Sequence, residues 1–101
     1  MLTATNVEQA TRVLREFRVA AVLTDFELPD GTGADVMREA KVTSPHAVLA
    51  LMSASEDVLR LPECRALAKL TVVKPFNAAR VGSMLDVVVA VERFVRTGRD
   101  D

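Results

Sequence analysis

The chain has 101 residues, half of them hydrophobic and 27% charged, with a formal net charge of −1. That length makes one domain, residues 1–101, with a single core. A charge so near zero, with Arg and Lys scattered, gives no electrostatic case for nucleic acid or an anionic membrane surface, and no apolar stretch approaches the ~20 residues that span a bilayer.

The residues alternate between two periods. Leu2 and Ala4 suit a short strand. Asn6 stands as an N-cap, and Val7, Ala10, Thr11, Val13, Leu14 and Phe17 recur at helical spacing. Residues 19–24 form an apolar run that suits a strand buried on both faces, as in a parallel sheet. Asp25 closes that run. Pro29-Asp30-Gly31 then marks a turn, because proline fixes φ, Asp bonds locally to backbone and Gly tolerates positive φ. The spacing predicts a helix from Gly33 to about Val42 with Val36, Met37 and Ala40 inward, stopped by Ser44-Pro45. Residues 47–52 predict another buried strand. A weaker helix begins at Ser55-Glu56-Asp57, and Pro62 restarts it at a first-turn position. Cys64 falls on an apolar helical position. It is the single cysteine and His46 the single histidine, so neither an internal disulfide nor a zinc cluster is expected, and a reducing cytoplasm is the default. Residues 70–73 predict the last strand. Lys74-Pro75-Phe76 ends it, Asn77 caps, and residues 78–97 predict the longest helix, with Gly98 at its C-cap. Strands alternating with helices imply parallel βαβ units joined by right-handed crossovers.

Three polar residues therefore end three successive predicted strands: Asp25, Ser53 and Lys74. In a parallel sheet they share one rim, where open α/β sheets bind ligands. The Asp oxygen is a nucleophile able to form an acyl phosphate. The hydroxyl can donate to a phosphoryl oxygen, and the ammonium can neutralise its charge. Any one of the three alone reads as a solvated strand end; the set, with its Pro/Gly turn, reads as a site.

Leu23-Thr24-Asp25 with Leu28-Pro29 and Gly33, then Met52-Ser53-Ala54, then Val73-Lys74-Pro75-Phe76, resembles the receiver domain of two-component response regulators. Residues 2–6 and 8–10 are similar to a receiver's second strand and second helix, so the resemblance spans nearly the whole chain. It implies a flavodoxin-like α/β fold with helices on both faces of a parallel sheet. It also implies that Asp25 matches the phosphoacceptor, Ser53 the switch hydroxyl and Lys74 the phosphate-sensing lysine. Glu27 takes the place whose carbonyl helps hold Mg²⁺ in the family, so Asp25 and Glu27 are the metal-ligand candidates. In the family an acidic pair ending the first strand supplies the remaining carboxylates, and this resemblance begins at the second strand. Mg²⁺ favours octahedral oxygen ligation, and one carboxylate plus one carbonyl substitutes poorly for it. Phosphoryl transfer depends on such charge neutralisation, so Asp25 is expected to accept phosphate slowly or not at all from this chain alone. Thr71 stands where receivers commonly carry an aromatic switch residue, and Ala68-Lys69-Leu70 where they usually carry glycine.

Without the first strand and helix, about four strands are expected. The usual strand order is 2-1-3-4-5, with the missing strand between the second and third. Either the sheet closes up or a partner fills the gap. The last predicted helix carries a wide stripe of Val81, Met84, Leu85, Val88, Val91, Phe94 and Val95. A helix apolar around most of its circumference is expected to bury more than one side, which predicts a homodimer packed through it. A monomer whose last helix shifts to cover the face is the plain alternative.

The expected function is an atypical receiver-like module in two-component signalling, not an enzyme, acting on a protein partner such as a histidine kinase and needing no cofactor beyond a possible Mg²⁺. A second reading is a phosphorylatable receiver whose metal carboxylates come from a partner chain or an upstream segment. A third, a flavodoxin-like domain binding a small molecule, lacks a Gly-rich phosphate loop in the sequence.

Overall fold

The computed structural model describes residues 1–74 and 87–94. Strand β1 (Leu2–Ala4) leads into helix α1 (Val7–Glu16). The Asn6 side chain accepts the Gln9 N–H at 2.8 Å, the N-cap that its position predicts. Helix α1 passes directly into strand β2 (Phe17–Asp25), with Phe17 as both C-cap and first strand residue. A small hairpin of β3 (Glu27–Leu28) and β4 (Gly31–Thr32) frames the Pro29-Asp30 turn. Helix α2 (Gly33–Thr43), strand β5 (Val48–Ser53), the short helices α3 (Glu56–Leu59) and α4 (Pro62–Leu67), and strand β6 (Leu70–Val73) follow. Pro62 opens α4, where a missing N–H costs nothing.

One core lies between the sheet and these helices. Val22, Leu49, Leu51, Val87 and Val89 project from the sheet to meet Ala10 and Leu14 of α1 and Val36, Met37 and Ala40 of α2. Leu59 and Cys64 bring α3 and α4 into the same cluster. Arg38 pairs with both Asp35 and Glu63, tying α2 to α4 across the surface.

The flavodoxin-like class stands, and three details differ from the sequence-based expectation. The main sheet has five strands rather than four, in the order β1-β7-β2-β5-β6. Its fifth member, β7 (Val87–Phe94), lies within the segment expected as the longest helix. It occupies the slot between β1 and β2 and runs antiparallel to both, so the sheet is mixed. Val87, Val88 and Val89 lie opposite Thr24, Leu23 and Val22 of β2. The gap is thus filled by the chain's own C-terminal segment, neither by closure nor by a partner. The physical reason is in the residues: Val87-Val88-Val89-Ala90-Val91 is dense in β-branched side chains, which favour a pleated surface. The helical dimer stripe is corrected with it. Val88, Val91 and Phe94 belong to a strand, while Val81, Met84, Leu85 and Val95, like the rest of residues 78–86, lie outside the described residues.

The third difference is the covering of the sheet. The described helices contribute to one core on one face. Ala21, Leu23, Val48, Ala50, Leu70, Val72, Val88 and Ala90 line a shallow apolar hollow of about 330 Å³ on the other.

A register shift in β2 around Val19 disturbs its pairing with β7. The Val19 N–H donates instead to the buried Ser44 Oγ at 3.0 Å. Ser44 therefore both terminates α2 and satisfies a backbone group that the irregularity would leave orphaned.

Candidate functional site

Asp25 is the last residue of β2 and is only 8% exposed. Two features hold it there. The Phe26 N–H continues the ladder to the Met52 carbonyl at 2.9 Å, so the chain cannot peel away immediately after Asp25. Gly33 sits so close beneath that a Cβ on it would lie 2.5 Å from the Asp25 carbonyl oxygen and 2.8 Å from Leu51 Cδ1. Only a residue without a side chain lets α2 begin against this rim. The Gly33 N–H also donates to the Phe26 carbonyl at 2.7 Å.

Both carboxylate oxygens of Asp25 are engaged. Oδ2 accepts the Lys74 ammonium at 2.9 Å, and Oδ1 accepts the Glu27 N–H at 3.3 Å. The Lys74 and Asp25 side chains are 13% and 12% exposed. A pair so screened from water interacts more strongly than a surface ion pair. Lys74 reaches Asp25 because its own N–H donates to the Ser53 carbonyl at 2.9 Å, extending the β5–β6 pairing by one residue. Ser53 is 2% exposed, and its Oγ accepts the Ser55 N–H at 3.0 Å. The hydroxyl proton is not used in that contact and remains available to an acceptor.

The three residues expected at one rim are thus brought there: Asp25 and Lys74 in direct contact, Ser53 linked to Lys74 through backbone. Glu27 is exposed and adjacent, contributing its N–H. Asp30, next to the site in sequence, is committed elsewhere. Its two oxygens accept the Val7 and Glu8 N–H groups at 2.7 and 3.1 Å, capping α1. The Val7 N–H bond, reinforced by that from Glu8, lowers the Asp30 pKa below its ordinary value of 3.8 against a smaller opposing effect of desolvation. That contact spans 23 residues and has no signal in local sequence. A second feature missed by sequence reasoning is Thr24, fully buried, whose hydroxyl donates to the Asp25 carbonyl at 2.9 Å.

Asp25 has one oxygen on an ammonium and the other on a backbone N–H, and no group of three carboxylate, thiol or imidazole side chains converges among the described residues. In the neighbouring slot, β7 sets Val87 and Val88 opposite Thr24 and Leu23, with no carboxylate at those two positions.

No family model matches the chain. The chemotaxis protein CheY of Thermotoga maritima is 30% identical over 86 residues, covering 84% of this chain and 72% of that protein. The chain belongs to the response-regulator receiver family. The response regulator TrrA of Thermotoga maritima, solved with Mg²⁺ and beryllium fluoride, agrees with it at a TM-score of 0.65 and 27% identity, over 81% of this chain and 70% of that one. The receiver domain of a sensor histidine kinase from Pseudomonas aeruginosa, solved with a magnesium ion in its cleft, has a TM-score of 0.58 at 21% identity and speaks for the fold alone; 79% of this chain and 68% of that one are covered. In this receiver the β1 to β6 order matches the family's with one substitution, an antiparallel C-terminal strand in the first-strand slot. No helix among its described residues is long and apolar enough to cross a membrane.

Proposed function

We propose that this receiver is an atypical one, working in two-component signalling through association with a protein partner such as a histidine kinase. Asp25 is the phosphoacceptor-like residue, and Ser53 and Lys74 are its phosphate-recognising pair. The observation that carries the proposal is the contact between Lys74 Nζ and Asp25 Oδ2, shielded at the rim beside buried Ser53. In this state the cation already neutralises the carboxylate. Were a phosphodonor to arrive, an Asp25 oxygen would attack phosphorus and the bond from phosphorus to the leaving oxygen would break, producing an acyl phosphate. The Lys74 ammonium would move to a phosphoryl oxygen and the Ser53 hydroxyl would donate to another.

Mg²⁺ is bound weakly in this reading, because Asp25 and the Glu27 carbonyl are too few oxygen ligands for it. Phosphorylation is then slow, and binding to partners does not wait for it. A cytoplasmic setting, with no catalytic turnover, belongs to the same reading. The homodimer expected from a last-helix stripe is not part of it, because Val88 and Val91 are built into the sheet. The second reading, with metal carboxylates supplied by another chain or segment, is favoured by the intact Asp25–Ser53–Lys74 arrangement.

Incubation with acetyl phosphate and Mg²⁺, followed by intact-mass measurement, separates the two. Little or no added phosphate on the wild type supports the atypical reading. Rapid, stoichiometric addition that Asp25→Asn abolishes would replace it with the second.

A further inference from the structure

Strand β6 is the outer edge of the main sheet, and all four of its residues are exposed. Among the described residues, no strand pairs with its outer side. A bare edge of this kind is a template for a further strand. Its two faces differ in chemistry. Leu70 and Val72, 56% and 48% exposed, turn to the apolar hollow shared with Leu23, Ala50 and Val88. Thr71 and Val73 turn the other way, into a cleft of about 420 Å³ walled by α3 and α4.

That cleft is cationic in a chain of net charge −1. Arg60, Arg65 and Lys69 line it, against a single carboxylate, Glu56. Arg60 has weak, exposed pairings with Glu56 at 3.5 Å and Asp57 at 3.9 Å. The exposed Arg65 and Lys69 side chains have no ion-pair partner among the described residues.

We propose that the β6 edge is a docking site for an extended segment of a partner protein whose residues alternate acidic and apolar. The period of two along a strand sets this chemistry. A strand added beside β6 sends one set of side chains over the cleft, where carboxylates meet Arg65, Lys69 and Arg60. It sends the other set over Leu70 and Val72, where apolar groups extend the hollow. Main-chain hydrogen bonds supply attachment. The Lys74 N–H donates to the Ser53 carbonyl in continuation of the β5–β6 ladder, so by alternation the backbone groups of Thr71 and Val73 turn outward and are free to pair. A basic segment is repelled by the cleft, and a uniformly apolar one leaves its cations desolvated without partners. Neither Asp25 nor Lys74 lines the cleft or the hollow, and the site stands whether or not Asp25 takes phosphate.

The test uses the whole chain and a short fluorescein-labelled peptide alternating glutamate and valine, read by anisotropy. Saturable binding is expected, falling as salt rises, and absent for the peptide alternating lysine and valine. Arg65→Glu with Lys69→Glu, both on exposed side chains, should weaken it by roughly tenfold or more. Thr71→Pro should weaken it comparably, because proline removes an outward N–H while an edge strand tolerates the ring. Absence of binding, equal binding of the lysine peptide, or indifference to the charge reversals would overturn the proposal. So would concentration-dependent self-association that Thr71→Pro abolishes, which would give the edge to a second copy of this chain.

Discussion

The Lys74 ammonium and the Asp25 carboxylate meet at 2.9 Å, joining residues 49 apart in the chain across the rim of β2, β5 and β6. Each neutralises a charge that its surroundings would otherwise leave nearly dry. Breaking one side of such a pair costs more than the pair itself contributes, because the survivor is left uncompensated. Lys74→Met is expected to destabilise the domain by on the order of 1–3 kcal/mol in urea unfolding. Combined with Asp25→Asn, it should cost less than the sum of the single changes. Strict additivity would mean that the two groups do not interact in solution.

Strand β7 makes a prediction by face. Val87 and Val89 are fully buried on the core side, while Val88 and Ala90 line the opposite hollow. Val89→Ala removes two buried methyl groups and should cost about 2 kcal/mol. Val88→Thr, on the open face and still β-branched, should change stability by less than about 0.5 kcal/mol. A helix stripe would single out Val88 and Val91 instead. Thermal and urea melts of the two variants decide between these patterns.

Gly33 should be intolerant of any side chain. A methyl group there meets backbone, the Asp25 carbonyl oxygen, and the Leu51 side chain, and the backbone atom cannot swing aside. Overpacking of that kind is worth about 1–3 kcal/mol, so Gly33→Ala should lower the urea midpoint. Gly31→Ala is the control. Its nearest obstacle is Asp35 Oδ2, at the end of a side chain that can rotate, and a smaller loss is expected.

Asp30 carries a pH signature. Its pKa is lowered in the folded state by the bonds from Val7 and Glu8, so the folded chain holds this proton less tightly than the unfolded one. The resulting stabilisation is fully present above the ordinary value of 3.8 and fades as pH falls through the lowered folded value. Asp30→Ala should therefore melt at a lower temperature than the wild type at neutral pH, and the difference should shrink on acidification. A gap that persists unchanged into strong acid would rule out the carboxylate cap.

The rim was legible because it is built from local events. Each of Asp25, Ser53 and Lys74 ends or follows an apolar strand, and a parallel sheet then fixes their common side. Helices α1 and α2 were legible from the spacing of Ala10 and Leu14, and of Val36, Met37 and Ala40, all buried as that spacing requires. The β7 segment was not. Val88, Val91 and Val95 fall at helical spacing, yet the same run is rich in β-branched residues, and periodicity alone does not separate the two. What tips it is tertiary: an open slot between β1 and β2 with unpaired backbone on both sides. The Asp30 cap on α1 and the Ser44 contact with Val19 were hidden for a related reason, because each joins residues more than 20 positions apart.

Strand β7 fills the first-strand slot from within the chain, with Val87, Val88 and Val89 opposite Thr24, Leu23 and Val22. Proton contacts measured by NMR on the isotopically labelled chain read this directly. Cross-strand contacts linking Val22 and Leu23 to Val88 and Val89, with slow amide exchange through β7, are the predicted result. Helical contacts running through residues 87–94, with none to β2, would contradict it.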